Sequence, residues 1–359
     1  MKRRSLLSLL AAASGAAAVQ PLLAGSGRAA QDAKHVLLLL ELRGGNDGLN
    51  TVGPHRDPLY RQARPTLALT EAITLLDELT LHPALAPLLP IWHQERLGFA
   101  LGVGWPQANR SHFKAADQWA TASASGEGMG WLARAITQGP LVAVDSAGCR
   151  AMEGGDALAL QLSQAQLQGQ ARATLAPTAA GASPILRQLL AMEQEGEQEL
   201  LRLRRELAPL PPGLAIPRNG LGQQVALALR LIGSGSCPPV IQLAQGGYDT
   251  HANQTLRQNR QLGQLAGALA FLDAGLSRLP RRPRVTLLSV SEFGRRLQEN
   301  GSGGTDHGSA SVAMLYGDHI PERLLGHYPR LDQVDARGDL IPNLSPADLY
   351  RHVLKIVQA

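Results

Sequence analysis

Six side chains that can bind metals or move protons fall just beyond apolar runs of the chain. Asp47 follows His35–Leu42 in Arg43-Gly44-Gly45-Asn46-Asp47-Gly48, and Asp249 and His251 follow Pro239–Ala244. Glu292 follows Val285–Val290, and Asp306-His307 stands in the glycine-rich loop after it. Carboxylate oxygen and imidazole nitrogen together suit divalent ions such as zinc, manganese or calcium. Asp47, Asp249, His251, Asp306 and His307 are therefore the candidate ligands for one or two such ions. Glu292 is either a further ligand or a group that orients one. Each also has an ordinary structural role open to it. Asp47 can shape a turn, Asp249 can cap a helix starting near Ala252, Glu292 can pair with Arg295 or Arg296, and Asp306-His307 can be a solvated loop.

A second cluster, Asn109-Arg110-Ser111-His112-Phe113-Lys114, comes directly after the run Gly98–Gly104. If a helix starts at His112, Ser111 is its N-cap. The same placement suits a nucleophile, because free backbone N–H groups and the positive end of the helix dipole favour an anionic phosphoryl or sulfuryl group. A neighbouring metal would activate the hydroxyl while Arg110 steadies the anion. His35, His55, His82 and His93 lack such placement and read as surface or packing residues.

These residues need elements that bring them together. Short apolar runs bounded by turn residues at 35–42, 98–104, 239–244, 285–290 and 312–316 read as buried strands. Helical patterns lie between them at 84–94, 112–122, 184–207, 221–232 and 253–279. This alternation predicts a doubly wound, mostly parallel α/β sheet. In such a sheet the carboxyl ends of the strands open on one crevice, where ligands bind. Residues some 260 positions apart can then meet. The Gln-, Ala-, Leu- and Glu-rich region from Glu153 to Arg218 departs from the pattern and predicts a helical insertion or cap, with a protein partner as an alternative role.

The sequence pI is near 9.5, with 34 Lys+Arg against 29 Asp+Glu. Residues 1–30 carry Lys2, Arg3, Arg4 and Arg28 and no acid, so the rest of the chain has a formal charge of only +1. The basicity belongs to this leader and gives no argument for a nucleic-acid partner. A charged start, an Ala-rich apolar middle and small residues near Ala29 and Ala30 form an export signal. Arg3-Arg4 followed by Ser5-Leu6-Leu7 resembles a twin-arginine signal, which implies use of the twin-arginine export machinery and a periplasmic or secreted protein. An uncleaved N-terminal membrane anchor is the alternative. The remainder, 31–359, reads as one domain. Cys149 and Cys237 lack metal or redox spacing and read as small buried residues.

Taken in order, the leader, Arg43-Gly-Gly-Asn46-Asp47-Gly, Arg110-Ser111-His112-Phe, Tyr248-Asp249-Thr-His251, Ser291-Glu292-Phe-Gly-Arg295 and Asn300-Gly-Ser-Gly-Gly-Thr-Asp306-His307-Gly308 resemble the bacterial domain of unknown function 1501 family. The likeness runs over nearly the whole chain after the leader. The family is similar to the alkaline-phosphatase and sulfatase superfamily, which implies an alkaline-phosphatase-like fold, a two-metal site and a Ser, Thr or modified Cys nucleophile. On this resemblance Asp47 matches the metal-binding Asp after the first strand, Ser111 the nucleophile, and Asp306-His307 the superfamily's Asp-His pair. Asp249 matches the first residue of an Asp-x-x-x-His pair. Asn253 stands where its histidine would be, so His251 serves instead. The superfamily's last histidine has His319, His327 and His352 as candidates.

The sequence thus predicts an exported, metal-dependent hydrolase acting on a small anionic phosphate or sulfate ester. A non-catalytic periplasmic binding or assembly protein on the same fold is the alternative. No dinucleotide-binding glycine pattern or haem or iron–sulfur cysteine set supports a redox protein.

Overall fold

The computed structural model describes residues 35–106, 108–145, 147–162 and 183–358. The predicted leader and the middle of the predicted insertion lie outside the described residues.

The first strand, β1 (His35–Leu42), lies inside an eight-stranded sheet. Val36, Leu38, Leu40 and Leu42 enter the core on one face, and Leu37 and Leu39 the core on the other. Burial on both faces is why this strand reads as an unbroken run of Val and Leu rather than as an alternation. β2 (Val52–Gly53), β3 (Ile73–Leu76) and β4 (Leu79–Leu81) make a separate small sheet, with α1 (Pro58–Ala63) between β2 and β3. A 3-10 turn at Pro83–Leu88 leads to α2 (Leu89–His93), β5 (Leu97–Val103), α3 (His112–Thr121), α4 (Trp131–Ala135), β6 (Leu141–Ala143) and β7 (Ala159–Gln161). Then come α5 (Pro184–Glu206), α6 (Gly220–Ile232), β8 (Val240–Gln245), α7 (Gln254–Leu276) and β9 (Arg284–Ser291). The chain continues through β10 (Gly294–Glu299), β11 (Thr305–Gly308), β12 (Ser311–Gly317), β13 (Leu324–Leu325) and α8 (Pro346–Gln358).

The large sheet has the order β13-β5-β12-β9-β1-β8-β6-β7. β1 pairs in parallel with β8 and β9, as do β6 with β7 and β8, and β13 with β5. β12 runs antiparallel to both β5 and β9. Those two strands therefore point the same way, and the carboxyl ends of β5, β9, β1 and β8 share one edge. The amino end of β12 reaches that edge too, carrying the loop before Ser311. This is the doubly wound, mostly parallel architecture that the alternation of elements predicts.

The structure changes the boundaries of the predicted insertion. Ala159–Gln161 is not part of a helical cap: it is the edge strand β7, aligned in parallel with β6. Three residues are too few to display a strand period, so the composition of the surrounding segment masked it. The helical part is α5, 23 residues long; among its described side chains only Leu203 is buried outright, and Ile185, Leu186 and Met192 are exposed. Cys149 and Cys237 are both buried, in the cores on opposite faces of the sheet. Among the described residues no helix is long and apolar enough to cross a membrane.

Candidate metal centre

At the shared strand edge, His112, Asp249 and His307 bring one ligand atom each within 4.8 Å of one another. His112 is the first residue of α3, after β5; Asp249 follows β8; His307 lies on β11. His251 adjoins two of the three. Its Nε2 is 2.8 Å from His307 Nε2 and 3.1 Å from Asp249 Oδ1. Asp249 Oδ1 is also 3.2 Å from His307 Nε2, and Oδ2 is 3.5 Å from His112 Nε2. Donor atoms placed about 2.0–2.1 Å from a tetrahedral ion stand about 3.3 Å apart. The observed spacings of 2.8–3.5 Å bracket that value.

The other nitrogen of each imidazole is held from behind. His112 Nδ1 is 2.6 Å from Glu292 Oε2, and His307 Nδ1 donates to the Arg110 carbonyl at 2.8 Å. His251 Nδ1 faces Asp306 Oδ1 at 3.4 Å. An acceptor at Nδ1 fixes the proton there and leaves the Nε2 lone pair for a metal, the arrangement usual behind zinc-bound histidines. The buried Phe293 ring keeps these rings in place, with centroids 4.2 Å from His307 and 5.1 Å from His112.

Charge is arranged to suit the same purpose. Burial would raise the Asp249 carboxyl, but the hydrogen bond from Arg295, the adjacent His307 ring and the charge of Arg295 outweigh it and hold it down at about 2. Burial lowers His307, keeping its imidazole neutral at neutral pH. Arg295 is itself fully enclosed. Its guanidinium donates to the carbonyls of Gly44, Gly45, Tyr248 and Thr305 and to Asp249 Oδ1. Two glycines permit the loops to close on the centre. A Cβ on Gly44, at φ +110°, would stand 2.4 Å from Asp249 N, and one on Gly304 would stand 2.2 Å from the His251 carbonyl carbon. Neither position admits a side chain.

The structure therefore brings Asp249, His251 and His307 together and sets Asp306 behind His251, half-exposed and bonded by Asn300. Glu292 binds the Gly44 N–H and His112, not Arg295 or Arg296. Asp249 caps no helix: α7 begins later, with Asn253 in the cap position. Asp47 is placed elsewhere. Its carboxylate is buried in an ion pair with Arg64, 2.5 Å away, and accepts a further hydrogen bond from Gln254. Its other oxygen accepts the Asn50 N–H, and Asp47 is not part of the His112, Asp249 and His307 group.

Ser111 is exposed at the N-cap of α3, yet its hydroxyl makes no capping hydrogen bond. The Arg110 guanidinium turns away to Asp339, at 2.7 Å, and only its carbonyl serves the centre. None of His319, His327 and His352 joins the cluster; His112 does. The signal for His112 was present, an imidazole at a helix start beyond a strand end, but it was hidden beside the more conspicuous serine.

The profile of the family described as protein of unknown function DUF1501 matches residues 100–339. No curated protein sequence matches the chain. Solved structures similar to it include the zinc complex of the C-terminal periplasmic domain of EcEptC from Escherichia coli, at 11% identity, covering 90% of this chain and 82% of that one, with a TM-score of 0.38. Phosphonoacetate hydrolase from Sinorhizobium meliloti 1021, with phosphonoformate, is 14% identical at a TM-score of 0.31. That match covers 73% of this chain and 57% of the hydrolase, so the chain spans little more than half of its length. A TAB5 alkaline phosphatase mutant with magnesium is 10% identical, covering 92% and 99%, with a TM-score of 0.36. By the match over residues 100–339, the chain belongs to the DUF1501 family.

Proposed function

We propose that the chain is an exported, metal-dependent hydrolase of phosphate or sulfate esters, with a single metal held by His112, Asp249, His251 and His307. The observation that carries this reading is the convergence of three imidazole Nε2 atoms on one carboxylate at ligand spacing, with an acceptor facing Nδ1 of each ring. A bound divalent ion would supply positive charge against the oxygens of an ester.

The chain's own groups do the rest. Glu292, the Arg110 carbonyl and Asp306 orient the imidazoles. Arg295 keeps Asp249 ionised. Ser111 presents a hydroxyl with no capping bond beside His112 at the amino end of α3, where the first N–H groups and the helix dipole favour a small anionic substrate. It is the nucleophile of this proposal. Export through the twin-arginine pathway to the periplasm rests on Arg3-Arg4 and the apolar segment after it.

The test is metal content by mass spectrometry, on protein purified from the periplasm, for wild type and Asp249→Asn. Turnover of p-nitrophenyl phosphate and p-nitrophenyl sulfate follows, for wild type and Ser111→Ala. One equivalent of metal, lost in Asp249→Asn, with turnover lost in Ser111→Ala, is the expected result. Wild type that takes up no zinc, manganese or calcium overturns the metal site. Metal uptake without turnover of any ester overturns the hydrolase and returns the protein to a binding role.

A further inference from the structure

Beside the metal centre, three arginines from three separate segments surround one buried carboxylate. Arg110 comes from the loop after β5, Arg296 from β10 and Arg337 from the loop between β13 and α8. Their nearest nitrogens lie 2.7, 3.6 and 3.9 Å from the oxygens of Asp339, which is almost fully enclosed. Only the Arg110 contact is a hydrogen bond; Ser309 Oγ donates the other, at 3.2 Å. Asp335, in the same loop, turns its carboxylate to the backbone N–H groups of Arg337 and Asp339. Three guanidinium groups thus face the two carboxylates of Asp335 and Asp339, a surplus of one positive charge.

The hydrogen-bond accounting points the same way. The buried Nε–H of Arg110 donates to nothing among the described residues, and that of Arg296 faces Asp339 from 3.6 Å, too far for a hydrogen bond. A buried donor without a partner is costly, and native structures seldom leave two so close together. The three arginine side chains are 31–35% exposed, so a small ligand can reach them. Planar guanidinium forks bind carboxylate and phosphate oxygens in pairs.

We propose that Arg110, Arg296 and Arg337 form a subsite for a second anionic group of the substrate, a carboxylate or phosphate separate from the ester at the metal. The inference rests on the hydrolase reading and gives it a substrate class: esters that carry another oxyanion. Two of the three arginines are tied to the metal centre. The Arg110 carbonyl holds His307, and the charge of Arg296 acts on Asp306, which faces His251. The proposed ligand places one anionic end on each of these neighbouring sites.

The experiment is calorimetric titration of the zinc-loaded protein with 3-phosphonopropionate, and with ethylphosphonate in the presence of equimolar acetate. The first ligand carries both anions on one molecule; the pair supplies them separately. Wild type binds 3-phosphonopropionate about tenfold tighter, a gain expected of a tethered second contact. In Arg296→Gln/Arg337→Gln that preference disappears while ethylphosphonate binding is unchanged, and Arg296→Lys/Arg337→Lys restores part of it. Equal binding of the two ligands by wild type, or a preference that survives in the Gln variant, overturns the subsite. Arg337→Gln alone, the change farthest from Asp339, replaces the double variant if the latter does not fold. Should the protein bind no zinc, the hydrolase reading falls by itself. The metal-free protein then decides the subsite: weaker 3-phosphonopropionate binding in the Gln variant supports it, and unchanged binding overturns it.

Discussion

Two strand ends of the same sheet each deliver an aspartate to the same edge, and the chain treats them in opposite ways. Asp47, beyond β1, is closed in. Arg64 donates to its Oδ2 and to Asn50 Oδ1, and anchors itself on the carbonyls of Leu297 and Arg296. Asp249, beyond β8, is left half-exposed, with an arginine beneath it and three imidazoles around its outer side. Both are paired with a buried guanidinium, so pairing alone does not separate structure from chemistry. The difference lies in what faces the remaining oxygen lone pairs. At Asp47 they meet amide donors from Gln254 and Asn50; at Asp249 they meet ring nitrogens that can share a metal.

The hardest test of this contrast is removal of Arg64. Arg64→Ala leaves a carboxylate buried without its counter-charge and the Leu297 and Arg296 carbonyls without their donor. The expected loss is about 3–5 kcal/mol of unfolding free energy in urea, with metal content unchanged. Replacing both partners, Arg64→Met with Asp47→Leu, should recover much of that loss, because the uncompensated charge is gone. If Arg64→Ala unfolds at the wild-type urea concentration, or gains a second equivalent of metal, Asp47 is a latent ligand and the contrast collapses.

Acid separates the two regions next. Near Asp47 the structure holds two neutral histidines. Burial lowers His55 to about 4, against the opposing effect of its bond to the Leu49 carbonyl; burial also lowers His82 to about 4, against the opposing charge of Asp47. Both values lie below the 6.5 of an unfolded histidine. Between pH 6.5 and about 4 the unfolded chain therefore binds the extra protons, and stability falls as pH falls through that window. Above it the effect is constant. Each group contributes a slope of about 1.4 kcal/mol per pH unit. Urea titrations at several pH values should show the slope of His55→Gln reduced by about that amount. An unaltered slope would mean that His55 is charged in the fold.

The large sheet was legible because its strands are buried on both faces, and such runs stand out even without a period. The residues 35–42 needed no correction at either end. Asp249, His251 and His307 were legible as candidates because Asp249 and His251 follow a strand and His307 stands in a glycine-rich stretch of the sequence. Asp47 misled for the same reason. Its partner, Arg64, lies 17 positions on in a polar stretch with nothing to mark it, and its donor Gln254 lies 207 positions away. Sequence position shows which edge a side chain reaches, but not which neighbour satisfies it there. His112 was missed on similar grounds: what sets it apart is Glu292, 180 residues distant, which faces its Nδ1. The arginines around Asp339 could not be read either, since three separate segments supply them.

The smallest expected effect addresses that last orienting contact. Glu292 Oε1 accepts the Gly44 N–H at 3.0 Å, and Oε2 lies 2.6 Å from His112 Nδ1. In Glu292→Gln the carbonyl can keep the Gly44 bond, which turns the amide NH2 toward His112. A donor at that position drives the imidazole proton from Nδ1 to Nε2, the atom that faces Asp249. Zinc affinity, measured by competition with a chelator, should fall about 10–100-fold, or about 1.4–2.7 kcal/mol, with little change in unfolding. Asp306→Asn removes a more exposed and longer contact, 3.4 Å from His251, and should cost about threefold or less. Equal losses in the two variants would show that charge near the imidazoles matters and proton placement does not, which would remove the reason for assigning His112 a different role from the other polar groups around it.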